Sequence, residues 1–457
     1  MVALLAKSMK IKFILPALEE AKSPYWRPIK YSLFPPLGLA TLASYCDPDD
    51  EPEIVDEHVE ELNTDDSPDL VVLQVYITNA HRAYEIADLY RSRGVFVAMG
   101  GLHVTALPEE AKQHADVVFL GPGEECFARF LREFKDKFHA AVYQSNDRSL
   151  VNGLLPRRDL FKRERYLVPN SLVISRGCVN RCDFCYSNSF YRGGRHFYTY
   201  RIDHILREIE SLPGRHLYFL DDHLFADRAL TRELFRQMRG MKRLFQGAAT
   251  VDSILRDDLI ELAAEAGFRS AFIGFESLEM KNLTQVGKTS NLGRSYREVI
   301  KRLDSLGIMI NGSFIFGMEH DTRDVFKDVT HWALDHGIAT ATFHIMTPYP
   351  DTTLYKTLES EGRITCRDWR KYDTRHSVFR HPVMSGGEIE EGYHRAYREF
   401  YKWRNIFSCS RHHETMRMRW KHLIYAGSWK KFEPVWNFII KNRLLCYARK
   451  MLERTLQ

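Results

Sequence analysis

The chain has 457 residues, 44% hydrophobic and 27% charged, with a formal net charge of +5. That length suits two or three globular domains, and so mild a charge gives no ground for a nucleic-acid partner. No apolar run reaches the roughly 18–20 residues of a membrane-spanning helix, and eight scattered cysteines in so large a chain are no disulfide framework, so a reducing, cytoplasmic setting is expected.

The N-terminal MVALLAKSMKIKFIL carries lysines inside its apolar stretch and no small-residue cleavage site. It reads as a first strand, with Met9 as an alternative start, rather than as a signal peptide. Through residue 136 short apolar runs alternate with helical patterns. KIKFILPAL, PEIVDEHVEEL, DLVVLQVY, VFVAMGG and DVVFLG read as strands; PPLGLATLASYC and AHRAYEIADLYRSRG read as helices. That alternation predicts a parallel, doubly wound sheet over residues 1–136, with ligands at the carboxyl ends of its strands. Residues 137–170 are polar and irregular and read as a linker.

From residue 171 a second series begins. SLVISRG, HLYFLDD, LFQGAAT, SAFIGFES, MINGSFIFG and TATFHIMTP predict six strands, separated by helices near 200–212, 228–239, 254–266, 292–306 and 322–336. A full eight-fold barrel takes about 250 residues, so a domain over residues 171–360 is a partial barrel with a lateral opening and its chemistry at the carboxyl face. Residues 361–457 read as a helical, basic, aromatic-rich region.

SRGCVNRCDFCYSNSF, at the end of the first of these strands, places Cys178, Cys182 and Cys185 within eight residues. Three soft thiolates can hold zinc or an iron–sulfur cluster. Structural zinc prefers four ligands in two separated pairs, and no second cysteine pair exists here; His196 is the one nearby candidate for a fourth ligand. A cluster held by three cysteines leaves one iron open to a small molecule.

The Cys-x3-Cys-x2-Cys spacing after a first barrel strand, with Phe184 before the last cysteine, resembles the radical S-adenosylmethionine (SAM) superfamily. The resemblance covers residues 171–350. It implies that Cys178, Cys182 and Cys185 ligate three irons of a [4Fe–4S] cluster whose fourth iron chelates SAM, and that reduction yields a 5′-deoxyadenosyl radical. It also implies cofactor contacts from Asp221 and Asp222 in YFLDDHLF, from Glu276 in GFES, and from Gly312 and Gly317 in GSFIFGME. Each has a structural alternative: a helix cap for an aspartate, a barrel salt bridge for Glu276, plain strand packing for the glycines.

A parallel-sheet domain ahead of such a barrel resembles the cobalamin (B12)-binding subgroup. The matching pieces are FPPLGLATLAS, VDEHVEEL, GGLHVTALPEEA and GPGEE. The resemblance implies that Gly100, Gly101, Gly121 and Gly123 let a flat corrin lie against backbone, with His103 lining its pocket. Classical cobalamin domains use Asp-x-His-x-x-Gly, whose histidine is the lower cobalt ligand. Here Asp56 and His58 are present but the glycine is missing, which leaves His58 either a cobalt ligand oriented by Asp56 or a polar residue at a strand end. Methylthiotransferases of transfer RNA fit less well, because Cys46 and Cys126 are too few and too far apart for a second cluster.

The tail resembles those of members acting on hopanoid lipids and tetrapyrroles. Tyr393 and Tyr397 share a helix face, lining either the core or a substrate cavity, and the last 45 residues either cap the barrel or lie on an anionic membrane surface. Cys366, Cys409 and Cys446 have no ligand spacing. The implied activity is a class B radical SAM methyltransferase: methylcobalamin would donate a methyl group to an unactivated carbon of a hydrophobic small molecule, with electrons from a flavodoxin or ferredoxin. The alternatives are a cyclase, oxidase or carbon–carbon coupling enzyme of the same architecture, a non-catalytic cobalamin or redox sensor, and a zinc-stabilised scaffold.

Overall fold

The computed structural model describes residues 8–18, 33–148, 154–428, 438–439, 442 and 444–456. The stretch MVALLAK, and Trp429 and Trp436 of the tail, lie outside them. Six strands, β1 (Lys10–Leu15), β2 (Glu51–Asp56), β3 (Leu70–Gln74), β4 (Phe96–Gly100), β5 (Val117–Leu120) and β6 (Val142–Gln144), form a parallel sheet in the order β2-β1-β3-β4-β5-β6. Alternate residues point to opposite faces. Phe13 and Val72 enter a core on one face, Ile14 and Val71 a core on the other. Burial on both faces is why LVVL and VVFL read as continuous apolar runs. β6 is a correction to the expected linker 137–170. Three residues are too short to show a period, yet they add to β5 in parallel register.

The second sheet runs β7 (Ser171–Leu172), β10 (His216–Phe219), β11 (Leu244–Ala249), β12 (Phe268–Glu276), β13 (Met309–Phe316) and β14 (Thr340–Ile345), paired in that order. It is the expected six-stranded partial barrel. The predicted first strand SLVISRG is split, however. Ser175–Gly177 (β8) leaves the barrel and pairs antiparallel with Phe197–Thr199 (β9). The split is made by Asp221, whose buried carboxylate accepts the backbone N–H of Ile174 at 3.1 Å and of Ser175 at 2.6 Å.

Because the barrel stops at six strands, the outer edge of β14 needs partners. Tyr397, in the last turn of the helix Gly386–Phe400, and Tyr401, which caps it, supply them. The Tyr397 hydroxyl accepts from the Phe343 N–H at 3.0 Å and donates to its carbonyl at 3.2 Å. Tyr401 does the same to Ala341, at 3.2 and 3.0 Å. The Ile345 N–H reaches the Thr374 carbonyl at 2.7 Å. Three alternate positions of the edge are thus closed by the tail. The tail itself is a further correction: residues 361–385 are not helical apart from the short turn Trp369–Lys371. They form a strap that returns to the first domain, where Trp369 donates to Glu110 at 3.2 Å and packs against His103. Helices Gly386–Phe400, Trp403–Ser410, Met416–Ala426 and Leu445–Leu456 follow.

Arg148 joins the two domains from the other side. Its buried guanidinium is caged by the carbonyls of Tyr191, Arg192, Arg195 and Ser145, which holds the β8–β9 hairpin against the first sheet.

A buried N–H and C=O lose their partner when either tyrosine becomes phenylalanine, so Tyr397→Phe and Tyr401→Phe should each cost about 1–3 kcal/mol in denaturant unfolding. The double variant should also self-associate through the bared strand, read by light scattering. Unchanged unfolding midpoints would refute the edge-closing role.

Candidate active site

The cysteine loop begins at Gly177, whose φ of +77° and whose crossing by the His196 carbonyl, 1.9 Å from where a Cβ would sit, admit only glycine. The loop is then tied down by backbone bonds, from Asp183 N–H to the Val286 carbonyl and from Leu354 N–H to the Asp183 carbonyl, both 3.0 Å. Phe184 packs among Val286, Ile315 and Met318, anchoring the loop on the upper rim of the barrel.

Among the described residues no three His, Cys, Asp or Glu side chains converge as the ligands of one metal ion do. A four-iron cluster asks for something else, since each cysteine takes a different iron and the thiols ring the site. Cys178, Cys182 and Cys185 are free thiols within electrostatic range of one another. Burial pushes Cys182 up to about 11 and Cys185 up to about 12. Burial also raises Cys178, offset in part by the Asn180 N–H on its sulfur. The three are thus neutral until a metal displaces their protons. The donor set fits an iron–sulfur cluster.

Facing the loop is an ion pair whose lysine the sequence did not single out. Glu276 ends β12 in a left-handed conformation, φ +63°, just past a bulge between β12 and β13. Such strain costs about 1–3 kcal/mol and persists only where surroundings enforce it. Here the enforcement is Lys288, whose ammonium lies 2.6 Å from the Glu276 carboxylate. Burial alone would lower Lys288, but the Glu276 carboxylate lifts it above its ordinary value. Gly274 makes the approach possible, since a Cβ there would lie 2.2 Å from the Glu276 oxygen.

The other predicted barrel residues divide. Asp222 is exposed on the rim and accepts from the Tyr186 hydroxyl at 3.0 Å. Asp221 is spent on backbone N–H groups, as described above. A Cβ at Gly312 would face the helical layer, against Phe314 and Phe275. Gly317, with φ +81°, turns the chain out of β13, and its N–H is held by buried Asp321 at 2.9 Å. His223 was also missed. It is buried beside Thr250, with its Nδ1 unpartnered.

At the carboxyl ends of β3, β4 and β5 lies a cleft of about 130 Å3 lined by Gly38, Gly100, Gly101, Gly121 and Gly123, with Arg176 and Tyr191 of the barrel domain on its far wall. All four glycines picked from the sequence meet there. Gln74 Oε1, also in the lining, is buried and has no hydrogen-bond partner. A flat ring system with amide donors at its rim, as a corrin is, suits such a wall. The expected histidines do not join it. His58 Nδ1 is 2.7 Å from Asp56, and its Nε2 accepts from the Leu18 N–H at 3.3 Å, so both ring nitrogens are already used. Asp56 is further held by the Tyr166 hydroxyl at 2.9 Å. His103 is wholly buried, bonded to Glu110 at 3.0 Å and packed on Tyr84 and Trp369.

A separate cavity of about 450 Å3 opens where the barrel is incomplete. Inward positions of the strands (Gln246, Ser270, Phe272, Asn311, Thr342, His344) form one wall, and Tyr393, Tyr397, Tyr401 and Tyr425 another. Its lining is mostly apolar, and the buried hydroxyl of Thr340 within it is unpartnered. Size and lining are those of a small-molecule pocket.

Residues 172–333 match the model of the Radical SAM superfamily and residues 31–131 that of the B12 binding domain. Bacteriochlorophyllide d C-12(1)-methyltransferase of Chlorobaculum tepidum is 28% identical over 73% of this chain and 75% of its own. Hopanoid C-2 methylase of Rhodopseudomonas palustris is 24% identical over 74% and 67%. The radical S-adenosylmethionine methyltransferase TsrM from Kitasatospora setae, solved with cobalamin and a [4Fe–4S] cluster bound, shares the fold with a TM-score of 0.65 at 15% identity, covering 97% of this chain and 100% of that one.

Lys288→Met leaves Glu276 buried and unpaired and should cost about 3–5 kcal/mol of stability. Adding Glu276→Gln should restore most of it in urea titration of the metal-free chain; no restoration would refute the pairing. Asp321 gives a pH signature. Burial raises its carboxyl from 3.8 to about 6, so between those values the folded chain holds a proton the unfolded chain has lost. Its contribution is therefore full at low pH and lost as pH rises through about 6. The melting temperature of Asp321→Asn should approach that of the unsubstituted chain as pH rises from about 4 to about 6, and the gap should be constant above that; a pH-independent gap across that window would count against it.

Proposed function

We propose that this chain, whose residues 172–333 match the Radical SAM superfamily model and residues 31–131 the B12 binding domain model, is a cobalamin-dependent radical SAM methyltransferase acting on an unactivated carbon of a large, apolar small molecule. The observation that carries the proposal is a juxtaposition. The three-thiol loop leaves the barrel through Arg176, which pairs with Glu124 on the rim of the glycine-lined cleft. One residue pair thus spans the two cofactor sites.

When bound, the [4Fe–4S] cluster and SAM supply a hydrogen-abstracting radical, and cobalamin carries the methyl group. The chain's own work is positional. Cys178, Cys182 and Cys185 hold the irons. Lys288 and Glu276 set a fixed cation and anion beside them, and an ammonium there favours a carboxylate ligand and the thiolate form of the cysteines. Gly100, Gly101, Gly121 and Gly123 let a flat ring approach backbone, and Gln74 offers it an acceptor. Electrons come from outside, from a small reducing protein such as a flavodoxin or ferredoxin.

For the substrate, the apolar cavity supports a rigid, mostly hydrocarbon molecule with one or two polar groups. Bacteriochlorophyllides and hopanoids, named for the relatives above, are both large ring systems of that character. A hopanoid or isoprenoid lipid is the first choice and a tetrapyrrole the second.

The test is anaerobic purification with cobalamin supplied, followed by metal analysis and SAM cleavage. About four irons and one cobalt per chain are expected. Cys182→Ala should lose the iron and form no deoxyadenosine. Cleavage persisting in that variant would overturn the radical assignment, and iron without cobalt would overturn methyl transfer. With substrate, the product should gain one methylene; loss of hydrogen with ring closure would favour a cyclase.

A further inference from the structure

The helix Met416–Ala426 carries an apolar stripe on its outer face. Met416, Trp420 and Ile424 fall four residues apart, which places them on one side, and they are 61%, 61% and 42% exposed. On the helix Leu445–Leu456, which packs beside it, Tyr447 and Met451 are 67% and 46% exposed. Isolated exposed apolar residues need no explanation, but a stripe across two packed helices marks an interaction surface.

Two observations say what covers it. The first is charge. By sequence, residues 403–456 hold twelve Lys or Arg against three Asp or Glu, and Arg417 and Arg419 are interleaved with the stripe itself. Apolar side chains bordered by cations, with tryptophan at the level of the charges, suit the interface of an anionic bilayer. Juxtamembrane cations strengthen binding to anionic lipid and make it fall with salt. The second is continuity. Ile424 and Met451 belong both to the exposed stripe and to the lining of the 450 Å3 cavity, so the stripe runs to the cavity mouth. A protein partner seated there would stop the opening, whereas a bilayer would feed it.

We infer that the C-terminal helices dock this face on an anionic lipid bilayer, so that the cavity takes its apolar substrate from the membrane rather than from water. Among the described residues no helix is long and apolar enough to cross a membrane, so the contact is a surface one. What enters the cavity rests on the proposed apolar substrate; the docking does not.

The experiment is flotation of the full chain with phosphatidylcholine vesicles, with and without phosphatidylglycerol. Binding should be at least tenfold stronger to the anionic vesicles and should fall with added salt. Met416→Glu/Trp420→Glu should lose at least tenfold of it, while its substrate-free SAM cleavage is unchanged. Independently of any variant, lipid brominated in the upper acyl chain should quench part of the tryptophan fluorescence of the unsubstituted protein. Equal binding to both vesicles, no quenching, or a double variant that floats like its parent would overturn the docking. Vesicle binding without methylation of any apolar compound would leave the docking standing and remove the substrate reading. Methylation by a chain that ignores vesicles would do the reverse.

Discussion

A sheet that ends early leaves an edge, and the edge of β14 governs the second half of this molecule. Ala341, Phe343 and Ile345 each present backbone groups that a seventh strand would have taken. Tyrosine hydroxyls and one strap carbonyl take them instead. A hydroxyl can both donate and accept, so one tyrosine satisfies an N–H and a C=O of the same residue. The spacing is fixed by geometry. Alternate strand residues are about 6.6 Å apart, and residues four apart on a helix about 6 Å, so a helix laid along the edge meets it in register. A helix closes an edge without filling the barrel as a strand pair would. The cavity is the space left over.

The same economy shapes the upper rim. Nothing in a lone cysteine loop fixes three thiols around a common centre, and this one is held from three sides: by Asp221 on the residues before it, by Val286 and the N-terminus of the helix Thr353–Ser360 on its middle, and by the Arg148 cage on the hairpin after it. The strained Glu276 belongs to this arrangement. Its left-handed backbone is sustained by a buried ion pair, and such pairs gain little over apolar replacements. Their use is to fix a geometry, here a cation beside the thiols. A residue kept at that expense at the carboxyl face of a barrel points to function more than to stability.

Much of this was legible in the residues. Both parallel sheets, nearly every helix between them and the thiol triplet follow from period, spacing and strand order, because each is a repeated local signal. The misses are those whose cause is distant. β6 is three residues long and exists because β5 offers an edge. SLVISRG divides because of a carboxylate 46 residues away. Lys288 sits in a plain loop, GKTSN, and only the fold sets it against Glu276. Gly274 and Gly312 are indistinguishable as glycines in strands; which faces the interior depends on register, and the bulge at Gly274 alters it.

The histidines carry the sharpest lesson. Asp56 and His58 have the residue types of a metal-ligand pair, and the aspartate does orient the imidazole. But the ring's second nitrogen is turned to the chain's own Leu18, and β2 lies two strands, about 10 Å, from β3, where the glycine cleft begins. No described histidine lines that cleft. The missing glycine of the Asp-x-His-x-x-Gly pattern and the occupied imidazole agree. In this chain the imidazole serves the packing of β2 and the segment after β1, and the cleft wall is made of glycine backbone and the Gln74 amide.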